Sequence, residues 1–280
     1  MYFYRPIEND LGKDEASREN ARFSRYLVEC YQPTEHTRGP WSPEVQHGGP
    51  PSALIAHAFE RVAPEGFSGA RLTFEMMRPV GLAPMRLEAW LLRAGSRAAW
   101  VEATLSTWDK AHGTRECIRA RGVWIRPEPL ELLDTPEDKP PPPEALTSPP
   151  MPPVPWSPAY HLAMQFLAGH WNGRRIAWLR PLGALCEGLS WSPLTRLVVA
   201  TDSIGGLFPA LDFRSHTYVN AELTCHLVRP LVGDWVGLSG STRVSELGVG
   251  LASATFYDAL GAFGEGAQSQ VVARRQAGLS

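Results

Sequence analysis

The decapeptide ARLTFEMMRP at residues 70–79 returns as AELTCHLVRP at residues 221–230, identical at five of ten positions and offset by 151. A chain that carries one segment twice at that distance is constrained to build one supersecondary unit twice. Between the copies the composition breaks: residues 127–155 hold twelve prolines in 29 positions. A run so poor in backbone N–H donors takes an extended path rather than joining a sheet. This predicts an N-terminal repeat over 1–126, a proline-rich connector over 127–155 and a C-terminal repeat over 156–280.

The repeat extends beyond the decapeptides. SALIAHAFERV (52–62) places Ile55, Ala58, Phe59 and Val62 on one helical face after the HGGPP turn. SPLTRLVVATDSIGG (192–206) has Ser192 as N-cap, Pro193 at the first helical position and Leu194, Leu197, Val198 and Thr201 as its stripe. The second helix is expected to be the longer. Each decapeptide is followed by alternating runs that predict strands, over 84–94, 97–109 and 115–126 in one half and 233–243, 249–258 and 265–275 in the other. Each half thus reads as a lead-in strand or two, one helix and an antiparallel sheet, an α+β unit. A sheet edge exposed by one copy can be covered by its twin.

The totals exclude several function classes. A net charge of −2 gives no electrostatic footprint for nucleic acid. No stretch reaches 18 uncharged apolar residues, so no membrane span is expected. The start of the chain does not read as a signal peptide, and the four cysteines have no metal-site or redox spacing, which predicts a reduced, cytoplasmic protein. There is no nucleophile elbow, phosphate loop or zinc-binding helix motif, and no cofactor is implied.

The segments 37–62, 70–80, 192–206, 220–235 and 248–272, in that order, resemble the TesB-like, type II acyl-CoA thioesterases. That resemblance implies a double hot-dog fold, two repeats each with a curved antiparallel sheet wrapping a central helix. It implies hydrolysis of an acyl-CoA or related acyl thioester by an activated water. It also implies a carboxylate, a threonine and a glutamine that hold the water. Aligned on the RP step, the carboxylate falls on Glu222, where relatives usually carry aspartate. Aligned on Gly248, the threonine falls on Thr242, and the glutamine falls on Gln268.

The residues support the same chemistry. With a strand period of two, Glu222, Thr224 and His226 share one face, Asn220 with them, while Leu223, Cys225 and Leu227 face the core. The polar face either meets water or lines a pocket between the halves. A carboxylate there can take a proton from attacking water, and Thr242 and Gln268 can orient that water. The start of the first helix offers free N–H groups for a developing oxyanion, which singles out His47, Gly48, Gly49 and Ser52, with Asn220 at the pocket mouth. His47 serves either a ligand or its own turn, and Asp202 either lines a pocket or bonds to backbone. Two other readings stay open: hydration or dehydration of an acyl thioester, and a non-catalytic acyl-thioester or lipid-binding protein. Free sheet edges allow a homo-oligomer.

Overall fold

The computed structural model describes residues 1–8, 23–109, 113–131, 139–146 and 157–275. The first half contains β1 (Tyr2–Ile7), β2 (Tyr26–Pro33), α1 (Gly49–Val62), β3 (Ser68–Met76), β4 (Met85–Ala94), β5 (Ala98–Asp109) and β6 (Gly113–Ile125). The second contains α2 (Pro158–Ala163), β7 (Met164–Trp171), β8 (Arg174–Pro181), β9 (Ala184–Cys186), α3 (Pro193–Thr201), α4 (Ile204–Leu207) and β10 (His216–Asn220). It continues with β11 (Glu222–Leu227), β12 (Val236–Val244), β13 (Val249–Asp258) and β14 (Gly261–Arg274). The predicted strands after each decapeptide lie within a few residues of β4–β6 and β12–β14.

Among the described residues all strands belong to one sheet in the order β7-β8-β12-β13-β14-β11-β3-β6-β5-β4-β2-β1-β9, with β10 also on β14. Apart from β9, the order is palindromic about β11 and β3, which are the strands of the two decapeptides. They pair antiparallel, with Thr224 opposite Thr73. Those threonines are the same position of the repeat, so a local two-fold axis passes between them, and their hydroxyls lie 3.2 Å apart. The repeated segment is the seam along which the halves close each other's edges.

A bulge interrupts both seam strands at the same place. In β3 the register with β6 slips between Gly69 and Arg71. In the other copy, Asn220 lies opposite Gln270 but Thr224 lies opposite Ala267, so one residue is gained at Ala221. Ala221 still donates to the Ser269 carbonyl and accepts from Met76 N–H. An inserted residue reverses which face the following side chains take. Asn220 therefore points with Gln270 to the helix side of the sheet, and Glu222 points to the other.

The helices pack antiparallel to each other beneath the sheet. Helix α1 is buried at eleven of its fourteen positions, as a helix apolar on nearly every side must be. At one end the Ser192 hydroxyl donates to Glu60 at 2.8 Å. At the other, Gly49 lies so close to α3 that a Cβ would sit 2.6 Å from the Val199 carbonyl oxygen. Ser192 and Thr195 form the expected N-terminal cap. The second helix is shorter than the first, contrary to expectation: α3 has nine residues and the chain re-enters helix only at Ile204. Its end has a cause. The Gln268 side-chain amide takes the Thr201 and Asp202 carbonyls, each at 3.0 Å, and its oxygen takes the Gly205 N–H at 3.1 Å.

Of the proline-rich connector, residues 132–138 and 147–155 lie outside the described residues. Residues 139–146 run against β7 and β8, where the Pro141 carbonyl accepts the Trp178 indole N–H at 3.1 Å. Among the described residues no helix is long and apolar enough to cross a membrane.

The helix contact can be tested directly. Gly49→Ala would press a methyl onto a backbone oxygen that no rotamer change can move. Overpacking of this kind costs about 1–3 kcal/mol, which should appear as a lower urea midpoint. An unchanged midpoint would contradict the close approach of α1 to α3.

Candidate functional site

The antiparallel helices bring the start of α1 against the end of α3. Asp202, the C-cap residue of α3, occupies that junction. A carboxylate at a helix C-terminus is disfavoured by its own helix dipole but favoured by the facing N-terminus of α1. A Cβ on Gly48 would lie 2.9 Å from both Asp202 carboxylate oxygens, so a side chain at 48 would displace them. Asp202 is buried, and every polar neighbour is arranged for its charge.

His47 Nδ1 lies 2.9 Å from Asp202 Oδ2 and 3.2 Å from Gly49 N. The carboxylate is the stronger acceptor, which places the imidazole proton on Nδ1. The Gly49 N–H also bonds to Asp202. On the other side, Asn220 Nδ2 donates to Asp202 Oδ1 at 2.8 Å, and Asn220 Oδ1 accepts from Gln270 Nε2 at 2.9 Å. Burial opposes the charge, but the His47, Asn220 and Gly49 contacts outweigh it and hold the Asp202 carboxyl below its ordinary value of 3.8. It stays ionised.

These groups open onto a cavity of about 250 Å3 that His47, Tyr160, Asp202, Ser203, Asn220 and Gln270 help to line. The Tyr160 ring stacks on His47 at 4.5 Å with 14° between planes. Three buried polar atoms on its lining residues lack a well-formed hydrogen bond: Gln270 Oε1 and the hydroxyls of Tyr160 and Ser203, which lie near each other. Such polar atoms in a cavity wall are where a water or ligand completes the bonding. Burial, with the nearby Asp202 charge, pushes the tyrosine well above its ordinary value, so its hydroxyl remains a donor.

Of the residues singled out in the sequence, His47, Asn220 and Gly49 converge here. Gly48 lies at the same place, but it and Gly49 face the Asp202 carboxylate rather than open cavity. Ser52 is the fourth residue of α1, buried, with its hydroxyl spent on the Gly48 carbonyl at 2.8 Å. Glu222 does not converge. The bulge at Ala221 turns it to the outer face, where it accepts from Ser269 N–H at 2.8 Å and from the Thr224 hydroxyl at 3.0 Å. Gln268 is fully buried and all its bonds go to the α3–α4 corner, so it positions Asp202 without facing the cavity. Thr242 shares the Gln268 face two strands away, through Ala252, about 10 Å off at ordinary strand spacing. The sequence reading did not gather Asp202, Gln270, Tyr160 and Ser203 into the site. The signals for two of them were present: Gln270 is two residues from Gln268 and so on the same strand face, and Asp202 is a carboxylate at an unfavourable helix end.

The two-fold repeat carries a second crevice of about 470 Å3 at the other end of the helix pair, lined by Gly69, Trp124, Leu194 and Leu197 among others. There the opposed pair Gly69–Trp124 occupies the place of Asn220–Gln270. The Trp124 ring covers Gly69, whose Cβ would meet it at 3.5 Å. It leaves none of the amides that hold the carboxylate at Asp202. The crevice's charged groups, among them Arg25, Glu60 and Arg61, are of another kind: Glu60 accepts from the Ser192 hydroxyl, and burial pushes its carboxyl above the ordinary value rather than below it.

A stability measurement follows from Asp202. Its folded-state value lies below the unfolded one, so its contribution is complete above about pH 4 and is lost as the pH falls through the folded value. The stability advantage of the wild type over Asp202→Asn, read by urea unfolding, should therefore shrink on acidification from pH 7 to 3. A constant difference would show that the ionised carboxylate is not held.

Comparisons with known proteins point one way. A family profile for the acyl-CoA thioesterase N-terminal domain matches residues 37–125, and one for the acyl-CoA thioesterase C-terminal domain matches residues 127–272. Among solved structures, the chain is similar to the acyl-CoA thioesterase II TesB2 of Mycobacterium marinum. That match has 12% identity and a TM-score of 0.67, covering 89% of this chain and 94% of that one. It is similar to a tesB protein of Mycobacterium avium subs paratuberculosis at 17% identity and TM-score 0.65, covering 88% and 93%. A hot-dog protein of unknown function from Alicyclobacillus acidocaldarius matches at 14% identity and TM-score 0.63, covering 89% and 93%. No curated protein matches the sequence. At such identities the structural likeness is one of fold, that of the hot-dog thioesterases.

Proposed function

Since the chain belongs to the acyl-CoA thioesterase family and hydrolyses an acyl-CoA thioester to a carboxylic acid and free CoA, we propose that Asp202 is its general base. The observation that carries this is a buried, ionised carboxylate bound to His47 and Asn220 on the wall of an otherwise aromatic cavity.

Water bonded to Asp202 and to the free Gln270 Oε1 attacks the thioester carbonyl carbon, and its proton passes to the carboxylate. Gln270 is held through its other amide atom by Asn220, so the water's acceptors are fixed before substrate arrives. The neighbouring hydroxyls of Tyr160 and Ser203 donate to the carbonyl oxygen as it gains charge. The tetrahedral intermediate collapses with cleavage of the C–S bond, and the proton held by Asp202 returns to the departing sulfur. An acyl group filling the cavity excludes solvent and raises the basicity of Asp202. His47 keeps the carboxylate oriented through Nδ1.

The finer architecture belongs to the same proposal. Residues 1–126 and 156–280 each form one hot-dog repeat around its helix, joined by 127–155, and together make a double hot-dog. The palindromic strand order and the shared bulge support this.

Release of free thiol from acyl-CoA, with kcat measured at saturation, tests the assignment. Asp202→Asn should lower kcat by about 10²–10⁴-fold, and Tyr160→Phe by about 10²-fold. Glu222→Gln should leave it within about twofold, the scale of a change outside the site. Loss of activity in Glu222→Gln with retention in Asp202→Asn would reverse the assignment.

A further inference from the structure

The cavity beside Asp202 is small, and its wall is made of identifiable residues. Its volume of about 250 Å3 lies below the usual range for a small-molecule pocket, about 300–1,000 Å3. The wall is built of rings: Trp41, Tyr160, Phe166, Phe213 and Tyr218, with prolines between them, and no leucine, isoleucine or valine among the described lining residues. The rings brace one another. Trp41 and Phe213 stack at 5.0 Å and 24°, and Phe213 and Tyr218 at 5.8 Å and 16°. Flat faces and ring edges held in advance suit another ring better than a flexible chain, because aromatic pairs gain from offset and edge-on contact.

Behind this wall lies a second cavity of about 210 Å3, bounded by Leu167, Ile176, Leu207 and Phe208. Phe166, Gly206 and Pro209 line both spaces. Phe166 is buried on β7 with its ring 5.7 Å from that of His161. It has the largest side chain of the three, so its truncation opens the partition most. Gly206 has room in front of it, since a Cβ there would meet only Phe213, at 3.9 Å.

Resting on the assignment of this cavity as the acyl slot, we infer that the enzyme takes a compact aryl-acyl-CoA. Phe166 is the specificity-determining partition that denies a long acyl chain the second cavity. The acyl ring lies among Trp41, Tyr160 and Phe213 and stops at Phe166. Without that side chain the two spaces join and the usable volume nearly doubles.

The test is thiol release from phenylacetyl-CoA, acetyl-CoA and hexadecanoyl-CoA by the wild type, Phe166→Ala and Gly206→Val. The wild type should favour phenylacetyl-CoA over hexadecanoyl-CoA by about tenfold or more in kcat/KM, the scale on which pocket shape discriminates. Phe166→Ala should move that ratio about tenfold toward hexadecanoyl-CoA. Gly206→Val fills the slot and should cut kcat/KM for phenylacetyl-CoA about tenfold more than for acetyl-CoA. Should Phe166→Ala fail to fold, the Gly206 variant and the wild-type preference still decide. A wild type that favours hexadecanoyl-CoA, or two variants with unaltered preference, overturns the inference and leaves the hydrolytic site standing. No thiol release from any of the three by the wild type would instead strike the site assignment itself.

Discussion

Asp202 exists as an ionised group in the interior because two helices meet there head to tail. The N-terminus of α1 presents Gly48 and Gly49 to the carboxylate that ends α3, and neither glycine can carry a side chain without collision. The proposed catalytic assignment rests on that junction. Its polarity offsets the burial of a charge, which unpaired would simply take up a proton. Gln268 ends α3 at the residue where the carboxylate is needed, and Asn220 and Gln270 arrive from two strands that pair beside it. A helix start expected to serve the substrate's oxyanion faces the Asp202 carboxylate, the base in our proposal. The donors left for substrate are then side-chain hydroxyls.

The same seam that makes the molecule symmetric makes its chemistry one-sided. Thr73 and Thr224 face each other across the local axis, and the bulges at Ala70 and Ala221 match. Yet the two ends of the helix pair hold different side chains at corresponding positions: Asn220 and Gln270 at one, Gly69 and Trp124 at the other. Cores must keep their shape to stay packed, whereas a pocket wall can change from amide to indole with little effect on the fold. The outcome is two unlike hollows in a single chain, one with a carboxylate held by Asn220 and backed by Gln270, the other without those amides.

Much of this architecture was legible in the residues. The repeat fixed the pairing of halves, alternation located the strands, and Ser192 with Pro193 marked a helix start. The site was harder for a physical reason. Phase along a strand carries through only while the strand is regular, and the extra residue at Ala221 reverses it. Counting by twos from Leu223 put Asn220 and Glu222 on one face, where the fold puts them on opposite faces. The second obstacle was distance. Asp202 becomes interpretable only once residues 47–49, from the other half, lie against it, and no local pattern announces that contact. Gln268 and Gln270 share a face, and only the depth at which each lies separates a structural bracket from a cavity wall.

A crystal structure with a non-hydrolysable thioether analogue of an acyl-CoA, its carbonyl kept and its sulfur moved one carbon away, examines the central claim most directly. The account requires the carbonyl carbon at about 3–3.5 Å from a water bonded to Asp202 and Gln270 Oε1, with the carbonyl oxygen against the Tyr160 and Ser203 hydroxyls. An analogue bound on the outer sheet face at Glu222, or in the crevice beside Trp124, would contradict it.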